Sequence, residues 1–434
     1  MLHTALPLNP PNLAEAFFRK VVSETSLDGV GEATAIVFAH GFKSGLPYFK
    51  ALASCFKEVY FVPKKSSRDE WLESVLRKLG WKVLDPFGVP DNLAGLSFQK
   101  KVFVFDVGGK LAEYPHFLRQ LQEAHEVFVI EDTENGHQKY EAFRHSEGFD
   151  GTMRVASVAR SILKDPEDYW TGRGIVEAVE TLLRLHHGML YNRATVFGYG
   201  KIGRSIAHAL REKRLTVQVV EIDRTRAVLA RCHGFDVVEK SAAFEEGGFL
   251  FLATGSGKKP KGIKVKDLVA AKGDSIVTCV TSPDDEIGDW EEEDFMSQCR
   301  PIETYETLTD LSNDSASGGL AGVQSIEGLG SSEESPKLLT ARTPHLHEFA
   351  RETGPRLIIV NEGRPPNFIY GASCGPYIFL VQAALLAAAA RLGSDISPLG
   401  GDRIEELSDW TDNDSKYGKD EDLIFKLWGE KWIG

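Results

Sequence analysis

At 434 residues the chain has room for two or three domains, each with an apolar core of its own. Its 63 acidic against 50 basic residues leave a net charge of −13, which argues against a nucleic-acid scaffold and suits action on a small molecule. Five scattered cysteines without a CxxC pair give neither a disulfide framework nor a metal-ligand set, and they suit a reducing, cytoplasmic compartment. The first residues, MLHTALPLNPPNLAEAFF, lack a basic stretch followed by an apolar core, so they do not read as a signal peptide. The most apolar window, 377–392, is too short and too rich in alanine to span a bilayer, so no membrane partner is expected.

Along the chain, residues 33–38, 58–62, 102–106 and 126–131 are short apolar runs rich in β-branched and aromatic side chains. Amphipathic stretches at 48–56, 68–80 and 112–124 separate them, and this alternation predicts parallel βαβ units. Residues 165–187 read as one long helix connecting to a second strand series at 194, 217–221, 249–253, 275–280 and 356–360. Residues 312–337 hold seven serines and five glycines in 26 positions, a composition that cannot bury a core and reads as a flexible insertion. An alanine-rich helix and an acidic, tryptophan-containing tail follow Gly371. The expected fold class is α/β, with two doubly wound, Rossmann-like lobes and a cleft between them. The substrate lobe would take 1–165 and 368–400, the dinucleotide lobe 166–367, and the tail 401–434.

The sharpest local signal lies in 195–223, TVFGYGKIGRSIAHALREKRLTVQVVEID. An apolar run leads into Gly198, Gly200 and Gly203, a helical pattern follows, and a second β-type run ends in Glu221. Gly198 allows a tight turn, Gly200 lets backbone approach a pyrophosphate, and Gly203 lets the helix pack on the strand, with the helix N-terminus facing the phosphates. Glu221, 18 residues past Gly203, sits where a carboxylate accepts the adenosine ribose hydroxyls and repels a 2′-phosphate. This order predicts NAD in preference to NADP, with Arg224 and Arg226 as the opposing signal. Tyr199, Lys201 and Ile202 complete the turn and the first helical residues.

Together these residues resemble the S-adenosylhomocysteine hydrolase family. GYGKIGRS followed by VVEID resembles its cofactor motif, EDTENG (131–136) its EETTTG, and SILKDPED (161–168) its SVTKSKFD. NEGRPPN (361–367) resembles its AEGRLVN, FDVGG (105–109) its DDGG, and Ala39-His40-Gly41-Phe42 its histidine after the first strand. The similarity spans roughly 35–395 and is denser in the second lobe. It implies bound NAD that oxidises a ribose-type 3′-hydroxyl, acidifies the neighbouring carbon for elimination, and is regenerated by the final reduction. Lys164 and Asp168 then match the pair that handles the hydroxyl proton, and a lysine beside NAD in a closed cleft should have a lowered pKa. Residue type alone also allows an exposed i,i+4 ion pair. His40 matches the leaving-group relay or is a structural imidazole, and Asp132 matches the acid on ribose hydroxyls or opens a turn. Thr133, Asn135, Thr254 and Asn367 fall at cofactor-contacting positions, with Asn367 alternatively a turn cap. A homodimer or homotetramer, paired through the 377–392 helix, is also implied.

Several positions depart from the family pattern. Phe42 and Ser44 replace the base-reading threonine and glutamate, and Val107 replaces the second aspartate of DDGG. Ser282 stands in place of one histidine and Cys374-Gly375 in place of another. The tail IFKLWGEKWIG has no counterpart to the family's terminal lysine and tyrosine. A site stripped of its base-reading groups should take another substrate. Three readings remain: an oxidise–eliminate–reduce enzyme acting on a different nucleoside- or sugar-like molecule, a simple NAD-dependent dehydrogenase, and a catalytically silent NAD-binding relative.

Overall fold

The structure, a computed structural model, describes residues 11–146, 153–186, 192–255, 262–281, 286–287, 300–305, 346–350, 356–370, 374–394, 404–407 and 420–433. The serine- and glycine-rich stretch 312–337 and Ser282 lie outside them. The chain divides into two compact units. One runs to Gly174 and resumes at Asn367; the other takes Ile175–Thr254 and Pro260–Pro366.

In the first unit the apolar runs form β1 (Thr34–Ala39), β2 (Glu58–Pro63), β3 (Lys82–Val83), β4 (Lys101–Asp106), β5 (Glu126–Glu131) and β6 (Arg154–Ser157). They assemble in the order β3-β2-β1-β4-β5-β6, and a short Glu405–Glu406 strand extends the β6 edge. Every pairing is parallel. Both faces are covered by helices, so the strands are nearly continuous apolar sequence rather than alternating, as in TAIVFA of β1. Side chains cap the Glu70–Lys78 and Glu134–Arg144 helices: Asp69 accepts from Leu72 N–H, and Thr133 accepts from Gly136 N–H.

The second unit repeats this order. β7 (Arg193–Phe197), β8 (Thr216–Val220), β9 (Asp236–Val237), β10 (Gly248–Leu252), β11 (Ser275–Cys279), β12 (Arg300–Tyr305), β13 (Leu346–Ala350) and β14 (Leu357–Val360) form one sheet. Its order is β12-β13-β14-β11-β10-β7-β8-β9. The β9-to-β14 part is parallel, and β13 and β12 add an antiparallel edge that the sequence pattern did not announce. Both units are therefore doubly wound α/β lobes in which the strand order reverses between the first and fourth strands, the fold class expected from the sequence.

The alanine-rich segment forms the helix Ile378–Gly393 and occupies the centre of the first unit's core. Phe379, Leu380, Ala383, Leu386, Ala387 and Ala388 are all essentially inaccessible. The Pro11–Thr25 helix covers it through Phe17 and Phe18, and the Asp420–Trp432 helix through Ile424 and Leu427. Arg391 makes a two-point contact with Asp420, at 2.9 and 3.2 Å, and the Trp428 indole donates to Pro376 O at 2.9 Å. This corrects the expectation that the helix pairs two protomers: its surface is already used inside one chain. Small side chains serve here to let neighbouring helices approach closely. Ala388→Asp should accordingly unfold the first unit, through an unpaired buried charge, rather than release a folded protomer. Circular dichroism melts with sedimentation velocity check this, and a folded, smaller species would contradict it.

Candidate functional site

In a parallel sheet all strands end on the same edge, and the loops beyond the reversal point come together there. In the first unit that edge carries His40 after β1, Lys64 after β2, Val107–Gly109 after β4, Asp132 and Thr133 after β5, and Lys164 in the short helical turn Ile162–Lys164 beyond β6. The catalytic candidates read from the sequence, His40, Asp132, Lys164 and Asp168, thus belong to one region of one unit.

Lys164 is its centre. Its ammonium donates to Asp132 Oδ1 at 2.9 Å and to Glu167 Oε2 at 3.1 Å, with only 12% of the side chain exposed. Asp168, itself buried, adds a third negative charge nearby. Burial disfavours the ammonium, but Asp132, Glu167 and Asp168 together outweigh it and hold the Lys164 pKa well above the ordinary lysine value. A lowered pKa is the expectation for this lysine beside NAD in a closed cleft; among the described residues three carboxylates instead keep it charged. The arrangement also removes the picture of an exposed i,i+4 pair, because Lys164 reaches back across the sheet edge to Asp132. Glu167 and Thr171, which sequence reasoning missed, extend the network, with Thr171 Oγ1 donating to Glu167 Oε1 at 3.0 Å and lying 3.4 Å from Cys374 Sγ. Burial pushes the Cys374 thiol up to about 12, so it is an unreactive occupant of its position.

His40 shares a 2.7 Å hydrogen bond through Nδ1 with Ser67 Oγ. Its ring stacks on Phe42 with centroids 5.4 Å apart and packs against Phe368 at 4.8 Å. Burial, then the charges of Lys64 and Lys164, hold its pKa well below the usual imidazole value, so His40 is neutral at pH 7.

Behind these groups lie two buried carboxylates. Asp106 accepts from Lys110 N–H, Leu111 N–H and the Tyr140 hydroxyl, at 2.9, 2.8 and 2.6 Å. Glu131 accepts from Gly108 N–H, Gly109 N–H and both the N–H and hydroxyl of Thr133, at 2.7 to 2.9 Å. Burial and the neighbouring Asp106 push Glu131 up to about 8. Thr133, expected to contact the cofactor, uses its hydroxyl to bond Glu131 and to cap the Glu134–Arg144 helix. Asn135 sits half-buried in the first turn of that helix. Asn367 is 7% exposed, and its Oδ1 is buried without a hydrogen-bond partner among the described residues.

In the second unit the glycine turn follows β7. Gly198 adopts φ +95°, and a Cβ there would fall 2.4 Å from Ala253 O. A Cβ on Gly203 would fall 2.1 Å from Gly198 O, so only glycine lets the Lys201–Glu212 helix meet the turn. Above Gly200 the space is open: the nearest atom to a Cβ built there is an Arg226 guanidinium nitrogen, 4.0 Å away. Glu221, just past β8, is pinned by Tyr199 N–H at 2.6 Å and Asp223 N–H at 2.8 Å. The Tyr199 side chain is buried and shares a 2.8 Å hydrogen bond with His233 Nδ1, so it braces the turn from within. Lys201 and Ile202 are half-buried in the first helical turn. Thr254, beyond β10, donates through both N–H and hydroxyl to the fully buried Glu286 at 2.8 and 2.7 Å. An open turn at a helix N-terminus beside an oriented carboxylate fits a dinucleotide.

Residues 177–305 match the family model described as the S-adenosyl-L-homocysteine hydrolase NAD-binding domain. The adenosylhomocysteinase of Sulfurisphaera tokodaii is 29% identical over 188 residues, covering 43% of this chain and 44% of that one. The adenosylhomocysteinase of Saccharolobus solfataricus is 26% identical over 221 residues, covering 45% and 52%. Over these residues the chain is similar to the NAD-binding domain of the S-adenosylhomocysteine hydrolases. The match spans about half the length of these curated relatives. NAD is the cofactor of the matched domain. Solved structures with a related trace include phosphoglycerate oxidoreductase from Vibrio cholerae, with 14% identity, TM-score 0.39 and coverage of 61% of this chain and 80% of that one. D-lactate dehydrogenase from Escherichia coli has 13% identity, TM-score 0.32 and coverage of 57% and 73%.

The central lysine of the first unit also carries a stability signature. Because its folded-state pKa is raised, its stabilising contribution is complete below the unfolded lysine value of about 10.4 and is lost only as alkali titrates it. Lys164→Met leaves Asp132, Glu167 and Asp168 facing one another, at a cost of about 3–5 kcal/mol at neutral pH. Urea unfolding of wild type and variant at pH 7 measures the deficit; equal stabilities would show that the ion cluster does not hold the site together.

Proposed function

We propose that the chain is an NAD-dependent enzyme that oxidises a secondary hydroxyl of a nucleoside- or sugar-like substrate, promotes elimination or hydration at the adjacent carbon, and then reduces the ketone. The observation that carries this reading is the convergence of Asp132, Lys164 and His40 on one sheet edge, in a chain whose other unit carries the NAD motif. Gly198–Gly203 would hold the NAD pyrophosphate and Glu221 the adenosine ribose, and the bound cofactor would supply a hydride acceptor and donor. Asn367, with an unsatisfied buried carbonyl oxygen, suits the nicotinamide amide as an acceptor.

The protein groups then have separable tasks. Asp132 accepts hydrogen bonds from substrate hydroxyls. Lys164 rests protonated and first orients the reacting hydroxyl oxygen. Lys164 then passes one proton to an adjoining carboxylate and, once neutral, accepts the hydroxyl proton on its nitrogen, so the local charge is conserved. Ketone formation acidifies the neighbouring C–H, and the neutral His40 accepts or returns the proton that accompanies departure of the leaving group. Phe42, Ser44 and Gly375 provide none of the groups that the family pattern uses to read adenine and homocysteine, which supports a different substrate.

Two measurements test the proposal. Calorimetric titration should show tighter binding of NAD than NADP, with the preference reduced in Glu221→Ala; equal or tighter NADP binding would overturn the assignment. Lys164→Met should retain NAD affinity while turnover falls by a factor of about 10² to 10⁴. Substrates can be sought among polyols and 5′-modified nucleosides by NADH absorbance and release of a 5′-group. S-adenosylhomocysteine should release homocysteine slowly, and rapid release would refute altered specificity. An absence of absorbance change across the panel would favour a silent NAD-binding relative.

A further inference from the structure

Lys64 has no place in the proton handling described above, and its surroundings are unusual. It follows β2 directly, its N–H donates to Ala39 O at 3.0 Å, and Ser67 N–H returns to its carbonyl at 3.1 Å. The backbone is thereby fixed beside His40. The side chain turns to the loop after β4, with Nζ 3.0 Å from where a Cβ on Gly108 would lie. The residue is half-buried, yet its ammonium makes no hydrogen bond or ion pair among the described residues. Removing an ammonium from water without giving its three N–H groups partners is costly.

The nearby carboxylates do not supply those partners, because each is already engaged. Asp106 has three donors, Glu131 has four, and Asp132 holds Lys164. They stabilise Lys64 only through space, while burial, the largest effect, lowers its pKa. Lys64 also acts on His40 electrostatically, as Lys164 does, and all three follow strands at the same sheet edge. One cation there, Lys164, is saturated with carboxylates; the other offers all its donors.

We infer that Lys64 is a substrate-recognition residue and that the substrate of this site carries an anionic group, a phosphate or a carboxylate, beside the hydroxyls held by Asp132 and Lys164. This rests on the proposed function for the identity of the site, and it narrows the substrate class to acidic sugar- or nucleoside-like molecules. Loss of the base-reading groups at Phe42 and Ser44 and the presence of an available cation at Lys64 are then two sides of one change in specificity.

The test uses the full chain with NAD present and three probes: D-ribose 5-phosphate, D-ribonate and D-ribose. Calorimetry should show the wild type binding one of the charged probes at least tenfold tighter than D-ribose, and the preferred probe identifies the anion. Lys64→Met should lose that preference, a drop of about ten- to a hundredfold for one charge-assisted hydrogen bond, and Lys64→Arg should keep part of it. Thermal melts of the probe-free proteins supply the second readout. An ammonium retained for a ligand predicts that Lys64→Met melts at or above the wild type. A lower melting temperature, restored by Lys64→Arg, would make Lys64 a structural counter-ion and overturn the inference. So would equal affinities for the three probes, or no binding of any. NAD titration is read separately, so failure of the oxidative reading is distinguishable from failure at Lys64.

Discussion

The parallel sheet imposes the constraint on which the rest depends. Strands that all run one way end on one edge, and in the 3-2-1-4-5-6 order the loops after the first and fourth strands diverge to opposite faces. Each unit uses that edge differently. In the second, the loop after β7 is a glycine turn feeding a helix N-terminus, with the acid beyond β8 turned back onto the turn's own backbone. In the first, the loops after β1, β2, β4, β5 and β6 contribute charged or titratable groups. One topology thus builds a glycine turn at a helix N-terminus in one unit and a cluster of charged and titratable groups in the other.

Electrostatics within the first unit follow from how donors are distributed. Backbone N–H groups of the Gly108–Leu111 loop satisfy Asp106 and Glu131, so these buried carboxylates need no lysine. Lys164 is left for Asp132 and Glu167, and Lys64 is left without a direct partner among the described residues. The two lysines differ by their partners more than by their burial, and their pKa values move in opposite directions for that reason. His40, facing both cations, stays neutral.

The first unit is closed by segments distant in sequence. The Ile378–Gly393 helix fills its core, and the Pro11–Thr25 and Asp420–Trp432 helices cover that helix. The last helix also reaches that sheet edge: Ser161 Oγ donates to Glu421 Oε1 at 2.6 Å while capping the turn that presents Lys164. The acidic tail is therefore part of the support for the central lysine. No local pattern in residues 420–433 announces this, because Glu421 gains its partner only across 260 positions of chain.

The sequence by itself determined the elements whose causes are local. Continuous apolar runs became parallel strands within about one residue of their expected ends, since burial on both faces writes itself into every position. Gly198, Gly203 and Glu221 were legible because a turn with positive φ, a close helix–strand contact and an acid after the second strand each admit few residue types. Tertiary structure alone decided which charges meet. Lys164 chose Asp132 and Glu167, and its pKa rose instead of falling. The alanine-rich helix became core, which its composition could not distinguish from an interface. Lys64, unremarkable in sequence, became a desolvated cation because the neighbouring carboxylates were already supplied with donors. Strand formation depends on what each residue is, whereas pairing and pKa depend on which groups, far apart along the chain, are left unsatisfied when the sheet edge forms.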